Sequence, residues 1–211
     1  MKVAEPTVER LVQYRRLLDR MDRDKVQVIS SKEIGDMLGF KASQVRKDLS
    51  YFGEIGKRGV GYNVDRLLKH VSDILSPPRK WNVGLVGVGR LGEALLDHKA
   101  FLSDKYEIVA LFDVSDEKVG ETFFGRPCFH VDDMPEKLEE MDIEILILTV
   151  PKDAAQRCVD ACTEKGQIKG VLNFSPSSVV APPGIIVYSV DISVELEKLL
   201  FYLKHEGTES I

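Results

Sequence analysis

The stretch NVGLVGVGRLGEAL, residues 82–95, decides the fold of the larger part of the chain. Residues 83–86 have the apolar run of a buried strand, and the turn GVGRLG at 87–92 opens a helix that we expect to end near residue 102. Glycines at this spacing between a strand and a helix are typical of a dinucleotide-binding turn, whose amides bind a pyrophosphate. The sequence therefore predicts a Rossmann-type unit.

A second predicted strand, EIVALFDV at 107–114, places an acid where such a unit needs one. Asp113 lies 21 residues after Gly92, a distance at which a carboxylate accepts hydrogen bonds from the adenosine ribose hydroxyls. A carboxylate repels a 2′-phosphate, and the nearest following cation is Lys118. The pattern therefore favours NADH and NAD⁺ over their 2′-phosphorylated forms.

Alternation of strand and helix continues to the end of the chain. Apolar runs at 144–150, 168–174 and 184–190 predict strands, and residues 153–164 predict a helix. This is the pattern of an α/β fold with a parallel sheet, in which ligands bind beyond the carboxyl ends of the strands. The predicted cofactor-binding residues are Gly87, Val88, Gly89, Arg90, Leu91, Gly92, Asp113, Val114, Thr149, Val150, Pro151, Asn173, Ser175 and His98.

Charge divides the chain into a basic first part and an acidic remainder. Residues 1–80 contain 17 Lys and Arg against 11 Asp and Glu, whereas residues 81–211 contain 12 against 23, so that +6 and −11 give the total of −5. A basic segment of this kind predicts contact with a polyanion. The breaker sequence SPPRK at 76–80 indicates a boundary, and we expect domains at 1–78 and 79–190, followed by a C-terminal segment at 191–211.

Within the basic part, three helices are predicted. The first spans residues 7–21; the second opens at a capping box of Ser30 and Glu33 and ends at Gly39; the third spans about 42–51. Two helices joined by a short turn containing glycine form the helix-turn-helix pattern. Small hydroxyl, amide and cationic side chains on the outward face of the third helix suit a major groove.

The segment after the third helix predicts a wing. Residues 54–55 and 60–64 have the pattern of a short hairpin, in which Gly56 and Gly59 supply the positive φ of its tight turn and two cations project at its tip. The winged helix-turn-helix predicts DNA binding. The predicted DNA-binding residues are Ser43, Gln44, Arg46, Lys47, Tyr51, Lys57, Arg58 and Gly59.

Other classes of site find little support in the sequence. Three cysteines have no metal-ligand spacing and are typical of buried structural thiols in a reduced, cytoplasmic compartment. No run of about 18 apolar residues predicts a membrane span, and we expect neither metal nor membrane binding. A final helix at 193–205 carries five aliphatic residues, which pack either on their own domain or on a partner subunit.

Two enzymatic interpretations compete with DNA binding. An NAD-dependent dehydrogenase needs a substrate domain and an acid or base near the carbonyl carbon, yet little sequence remains for a substrate domain and no catalytic constellation stands out. Of the four histidines, only His98 lies in the cofactor helix. A CoA-binding domain of the acyl-CoA ligase type also opens with a glycine-rich turn, although Asp113 argues against it.

The segments QVRKDLSYFGEIGKRGVGY, VGVGRLGEAL, LTVP, NFSP and VDI, in this order, resemble the Rex family of redox-sensing transcriptional repressors over essentially the whole chain. The resemblance implies a homodimer that exchanges its C-terminal helix, binds an inverted-repeat operator when NADH is scarce, and leaves the DNA when NADH binds. It also implies that NADH and NAD⁺ are sensed rather than turned over. Arg16 and Asp191 match a pair that meets across the dimer. The sequence departs from the family at His98 and Ile192, where relatives often have tyrosine and phenylalanine near the nicotinamide.

Overall fold

The computed structural model describes residues 3–53, 55–56, 60–98, 104–163 and 167–206, and the chain divides into two compact units, Met1–Pro78 and Arg79–Ile211. The first unit is helical with a two-stranded sheet. Its elements are α1 (Glu5–Arg23), β1 (Val28–Ile29), α2 (Ser31–Leu38), α3 (Ala42–Ser50), β2 (Tyr62–Asn63) and α4 (Val64–Leu75).

The helix-turn-helix is confirmed in its local details. Ser30 caps α2, because its hydroxyl accepts from the Glu33 amide at 3.1 Å while the Glu33 carboxylate accepts from the Ser30 amide at 2.7 Å. Gly39 ends the helix at φ +76°, a left-handed conformation that glycine adopts without strain. Val45 and Leu49 of α3 face the core of the unit, where both are buried.

The predicted hairpin of residues 54–55 with 60–64 lies partly outside the described residues, and the structure gives its second strand a partner that the sequence did not predict. β2 pairs antiparallel with β1, which precedes α2. Gly61 allows this pairing, since a Cβ there would lie 2.7 Å from the Ile29 carbonyl oxygen. Gly56 has no positive φ; a side chain there would instead meet the Tyr62 ring at 2.6 Å. Glu54 and the predicted tip residues Lys57, Arg58 and Gly59 lie outside the described residues.

Helix α4 has no counterpart among the predicted elements. Asn63 caps it by accepting from the Arg66 amide at 3.0 Å, and Val64, Leu67 and Val71 are fully buried at helical spacing against α1. The sequence of residues 64–71 has the hydrophobic pattern of this helix. The helix was not predicted because its first residue, Val64, was assigned to the hairpin.

The second unit is the predicted α/β fold. Its elements are β3 (Trp81–Val86), α5 (Arg90–Asp97), β4 (Tyr106–Asp113), β5 (Thr122–Phe123), β6 (Arg126–His130), α6 (Met134–Glu140), β7 (Ile143–Leu148), α7 (Lys152–Thr163), β8 (Gly170–Asn173), β9 (Ile186–Ser189) and α8 (Ile192–Glu206). The strand order is β5-β6-β4-β3-β7-β8-β9, parallel except for the β5–β6 hairpin. The order therefore reverses between β3 and β7, the position at which a doubly wound sheet opens a ligand crevice.

Three features of this unit bear on the sequence-based expectations. Helix α5 ends at Asp97 because His98 is extended (φ −77°, ψ 122°), and residues 99–103 lie outside the described residues. The β5–β6 hairpin and α6 are additional to the predicted elements. All three cysteines are buried with free thiols, as structural cysteines are.

Helix α8 leaves its apolar side chains exposed within the single chain. Leu199, Leu200 and Leu203 are each 52–57% exposed, and Ile192 is 73% exposed. These side chains therefore do not pack on the described residues of their own unit. Among those residues, no helix is long and apolar enough to cross a membrane, and no cluster of His, Cys, Asp or Glu could hold a metal ion.

Candidate functional sites

A cavity of about 610 Å³ lies at the carboxyl edge of the sheet, where the strand order reverses. Its walls come from the ends of β3, β4, β6 and β7 and from one side of α7. The lining residues that the sequence predicted are Gly87, Gly89, Asp113, Val114, Thr149, Val150 and Pro151. This volume is within the range of small-molecule sites, which is large enough for half of a dinucleotide.

Each glycine of the turn has its own physical reason. Gly87 has φ +95°, and a Cβ there would lie 2.8 Å from the Thr149 carbonyl oxygen. A Cβ on Gly92 would lie 2.3 Å from the Gly87 carbonyl oxygen, so only glycine lets α5 approach the turn. A Cβ on Gly89 would meet nothing within 4 Å, and this residue lines the cavity, so its missing side chain leaves space for a ligand.

Thr149 fastens the glycine turn to the neighbouring strand. Its hydroxyl lies 2.6 Å from the Gly87 carbonyl oxygen, and its amide donates to the Val86 carbonyl at 2.9 Å. The turn is therefore held in place by the protein before any ligand binds, which reduces the ordering cost of binding.

Asp113 is bound on both carboxylate oxygens. Oδ2 accepts from the Val88 amide at 2.7 Å and Oδ1 from the Ser115 amide at 3.0 Å, while Lys118 Nζ lies 3.4 Å from Oδ2. Burial favours the neutral acid, but the two amides and Lys118 outweigh it and lower the pKa of Asp113. The carboxylate is therefore charged at neutral pH and fixed beside the turn.

Other predicted cofactor residues lie elsewhere in this unit. Val88 is buried, and Arg90, Leu91, Gly92 and His98 do not line the cavity. Ser175 lines a second cavity of about 410 Å³ together with Ser189 and Asp191, and the Asn173 amide nitrogen lies 3.2 Å from Ser189 Oγ. Both cavities adjoin the carboxyl ends of strands.

Several residues of the first cavity were not predicted from the sequence. Lys118, His130, Asp132 and Arg157 line it, and all but Arg157 belong to segments that follow β4 or end β6. Only the spacing of five residues between Lys118 and Asp113 could have indicated a contact, because a turn after the strand returns the lysine to the site.

The outward face of α3 presents most of the predicted DNA-binding side chains. Ser43, Arg46, Lys47 and Tyr51 are exposed, and Arg46 Nη1 donates to Ser31 Oγ at 3.1 Å. Gln44 differs, because it is half-buried and its amide donates to Asp48 Oδ1 at 2.8 Å. The outward face of α3 therefore presents exposed cations together with the Gln44 amide, whose orientation is fixed by its hydrogen bond to Asp48.

Asp48 is the centre of a buried polar network that the sequence did not reveal. It is 3% exposed and accepts from Arg10 and from the Tyr14 hydroxyl of α1, besides Gln44. Burial opposes its ionisation, but the hydrogen bonds from Arg10, Gln44 and Tyr14 outweigh that effect and lower the pKa of Asp48.

The residues of the predicted inter-subunit pair are found in different units. Arg16 belongs to α1. Asp191 is half-buried ahead of α8, and its Oδ1 accepts from the Ser193 amide at 2.9 Å and from the Ser193 hydroxyl at 2.6 Å. These bonds lower the pKa of Asp191 and keep it charged.

Comparison with known proteins finds relatives over the whole chain. Family models described as "Putative DNA-binding protein N-terminus" and "CoA binding domain" match residues 2–50 and 78–177. The redox-sensing transcriptional repressor Rex of Listeria welshimeri is 39% identical over 97% of this chain and 94% of its own length. Rex of Thermus thermophilus is 43% identical over 95% and 94%.

Solved structures of RSP are similar to this chain over nearly its whole length. The crystal structure of RSP in complex with β-NAD⁺ and operator DNA has a TM-score of 0.90 at 30% identity, covering 98% of this chain and 95% of that chain. RSP in complex with β-NADH has a TM-score of 0.87 at 29% identity, covering 98% and 97%.

Proposed function

The chain belongs to the Rex family of redox-sensing transcriptional repressors, and from that premise we propose that it is a DNA-binding repressor that senses NADH without turning it over. We assign residues 1–78 to DNA binding, 79–190 to NAD(H) binding and 191–211 to exchange between subunits. One observation carries the proposal. The same chain contains a helix-turn-helix with exposed cations in its first unit and a cavity beside a dinucleotide-binding turn in its second unit. Operator DNA and free NAD(H) meet in the cytoplasm, which is the location we propose.

The geometry of the sheet edge supports one orientation for the dinucleotide. The first cavity, beside Asp113, takes the adenosine, and the amides of residues 89–92 at the start of α5 take the pyrophosphate. The nicotinamide half then extends beyond β7 toward Asn173, Ser175 and the second cavity. His98, the C-cap of α5, lines neither of these two cavities, so we propose that it contacts the nicotinamide only across the dimer.

Redox discrimination follows from charge. NAD⁺ and NADH differ at the nicotinamide ring by one positive charge, and burying an unpaired cation in an apolar site costs several kcal/mol. In the single chain the second cavity is lined by Ser175, Ser189 and the charged Asp191. We therefore propose that apolar side chains of the partner subunit close the nicotinamide site and that Asp191 pairs with Arg16 of the partner, so that the closed site prefers NADH. A preference of about 4 kcal/mol corresponds to roughly a thousandfold difference in affinity, which is what a sensor needs against excess NAD⁺.

The exposed apolar side chains of α8 support a homodimer. An exposed helix with this many aliphatic and aromatic side chains is unfavourable in water, and exchange of α8 into a second copy would bury them. The exchange would bring Asp191 of each subunit toward Arg16 of its partner, as the family resemblance implies. Formation or loss of that ion pair would then couple NADH binding to the spacing of the two DNA-binding units.

A dehydrogenase is the alternative that the family membership opposes. The full-length relatives are repressors, and the dinucleotide is their regulatory ligand. The match to a CoA-binding model covers residues 78–177, the Rossmann-type part alone.

Fluorescence anisotropy tests the proposal directly. The purified protein is bound to a labelled inverted-repeat promoter fragment and titrated with NADH and, separately, with NAD⁺. We expect NADH to release the DNA at concentrations at which NAD⁺ does not. DNA binding that is indifferent to both nucleotides would refute the sensor function, and oxidation of NADH in the presence of a carbonyl substrate would restore the dehydrogenase.

A further inference from the structure

Lys118 joins the glycine turn to the carboxylate that faces the adenosine ribose. Its Nζ donates to the Val88 carbonyl at 2.7 Å and lies 3.4 Å from Asp113 Oδ2. The Lys118 side chain is 28% exposed and that of Asp113 is 10% exposed, so the pair is only partly screened by water. The ammonium is thus anchored at two points on the cavity wall.

Because Lys118 is paired with Asp113, the rejection of a 2′-phosphate by the cavity does not depend on the Asp113 charge alone. The charge of Asp113 is offset by Lys118, and two backbone amides already donate to its oxygens. The remaining charges lining the cavity are those of Asp132 and Arg157, with His130 Nδ1 3.3 Å from Asp132 Oδ2. Opposed charges are therefore balanced at the ribose position, and removal of either one tips the balance.

Resting on the proposed NAD(H) site, we propose that Lys118 is a second specificity-determining residue and the cation that would bind a 2′-phosphate. In the native protein Asp113 holds Nζ and repels the phosphate. With Asp113 neutral, the Val88 carbonyl still fixes Nζ beside the ribose position, where it donates a charge-assisted hydrogen bond to a phosphate oxygen. Preference for NADH over NADPH thus depends on the pair and not on the acid alone.

The test measures the dissociation constants of NADH and NADPH for the full-length protein, by dihydronicotinamide fluorescence, in four forms: native, Asp113→Asn, Asp113→Asn with Lys118→Met, and Asp113→Asn with Lys118→Arg. Asparagine preserves the shape of Asp113 and its acceptor for the Val88 amide. We expect Asp113→Asn to tighten NADPH binding roughly tenfold, the effect of one hydrogen bond to a charged group. Lys118→Met should remove the part of that gain that comes from the Lys118 hydrogen bond, so that the Met double variant binds NADPH more weakly than Asp113→Asn, and Lys118→Arg should keep the gain.

The single variant Lys118→Met gives a second measurement that does not depend on folding of the Asp113 variants. With Asp113 intact and its counter-ion removed, the ratio of NADPH to NADH dissociation constants should rise. An unchanged ratio, or NADPH binding as tight in the Met double variant as in Asp113→Asn, would overturn the role of Lys118 while leaving the sensor intact. A native protein that binds neither nucleotide would overturn the proposed function and this inference together.

Discussion

Arg10 of α1 binds Asp48 of α3 through two nitrogens: Nε lies 2.6 Å from Oδ2 and Nη2 lies 2.8 Å from Oδ1. This bidentate pair, with the Tyr14 hydroxyl 2.8 Å from Oδ2, fixes the first helix of the DNA-binding unit to its predicted recognition helix. Asp48 also holds the Gln44 amide, so the same carboxylate sets the direction of a side chain that we expect to face the DNA. The buried Asp48 carboxylate therefore both stabilises the first unit and orients a side chain that we expect to contact DNA bases.

Replacing Arg10 should destabilise the first unit. Arg10→Met leaves the Asp48 charge buried with only Tyr14 and Gln44 as donors, at a cost of about 2 kcal/mol in the free energy of unfolding. Urea denaturation followed by far-ultraviolet circular dichroism measures it, because Trp81, the only tryptophan, belongs to the other unit. Arg20→Met, at an exposed site on α1, is the control, and equal losses in both variants would contradict the role of the pair.

The same network predicts a pH dependence of stability. Because the folded pKa of Asp48 is lowered, its ionisation stabilises the fold above the unfolded-state pKa of about 3.9, and this contribution is lost as the pH falls through the folded value. The difference in unfolding free energy between the native protein and Asp48→Asn should therefore shrink as the pH is lowered from 5 toward about 2. A constant difference over that range would show that Asp48 does not titrate in this way.

Two glycines of the dinucleotide turn should respond differently to alanine. Gly92→Ala places a Cβ 2.3 Å from the Gly87 carbonyl oxygen and should lower the thermal midpoint of unfolding. Gly89→Ala meets no protein atom within 4 Å, so it should leave the midpoint unchanged while weakening NADH binding at least about tenfold by filling ligand space. Thermal melts and NADH titrations of both variants separate the two effects. Undiminished NADH binding by Gly89→Ala would remove this glycine from the cofactor site.

The cations and the amide of α3 should contribute differently to DNA binding. Lys47→Ala should weaken binding to all sequences and reduce the slope of log K against log salt by about 1, because one phosphate contact is lost. Gln44→Ala should instead cost about 1–3 kcal/mol of discrimination at one base pair. Anisotropy on an operator and on single-base variants, at several salt concentrations, measures both effects. Lys69→Ala, on α4, is the matched control; an equal change there would point to general charge rather than to α3.

The proposed dimer depends on the exposed apolar residues of α8. Leu199→Asp with Leu203→Asp puts two charges into the surface that a partner would cover, and we expect a monomer in light scattering and loss of the NADH response. Glu197→Gln, on the same helix, should leave the assembly unchanged. A dimer that persists in the double variant would place the subunit interface elsewhere.

Contacts between residues close in the sequence could be predicted, whereas contacts between distant residues could not. The cap of Ser30 with Glu33 was predictable because its partners lie three positions apart. The β1–β2 pairing was not, since Ile29 and Tyr62 are separated by a helix-turn-helix that carries the stronger signal. In the second unit the glycine turn and Asp113 could be predicted, whereas Asp132 and Arg157 reach the cavity from later elements whose position depends on the sheet order.

By itself the sequence determined the two kinds of domain, the dinucleotide turn and the charged face of α3, because these follow from periodicity, glycine spacing and composition over short stretches of chain. Only the tertiary structure decided which charged side chains, far apart in the sequence, meet the groups that pair with them. Arg10 with Asp48, and Lys118 with both Asp113 and the Val88 carbonyl, are pairs formed by packing. The physical reason is that helix and strand patterns are local properties, whereas the energy of a partly buried charge depends on whichever donors the folded chain brings within about 3 Å.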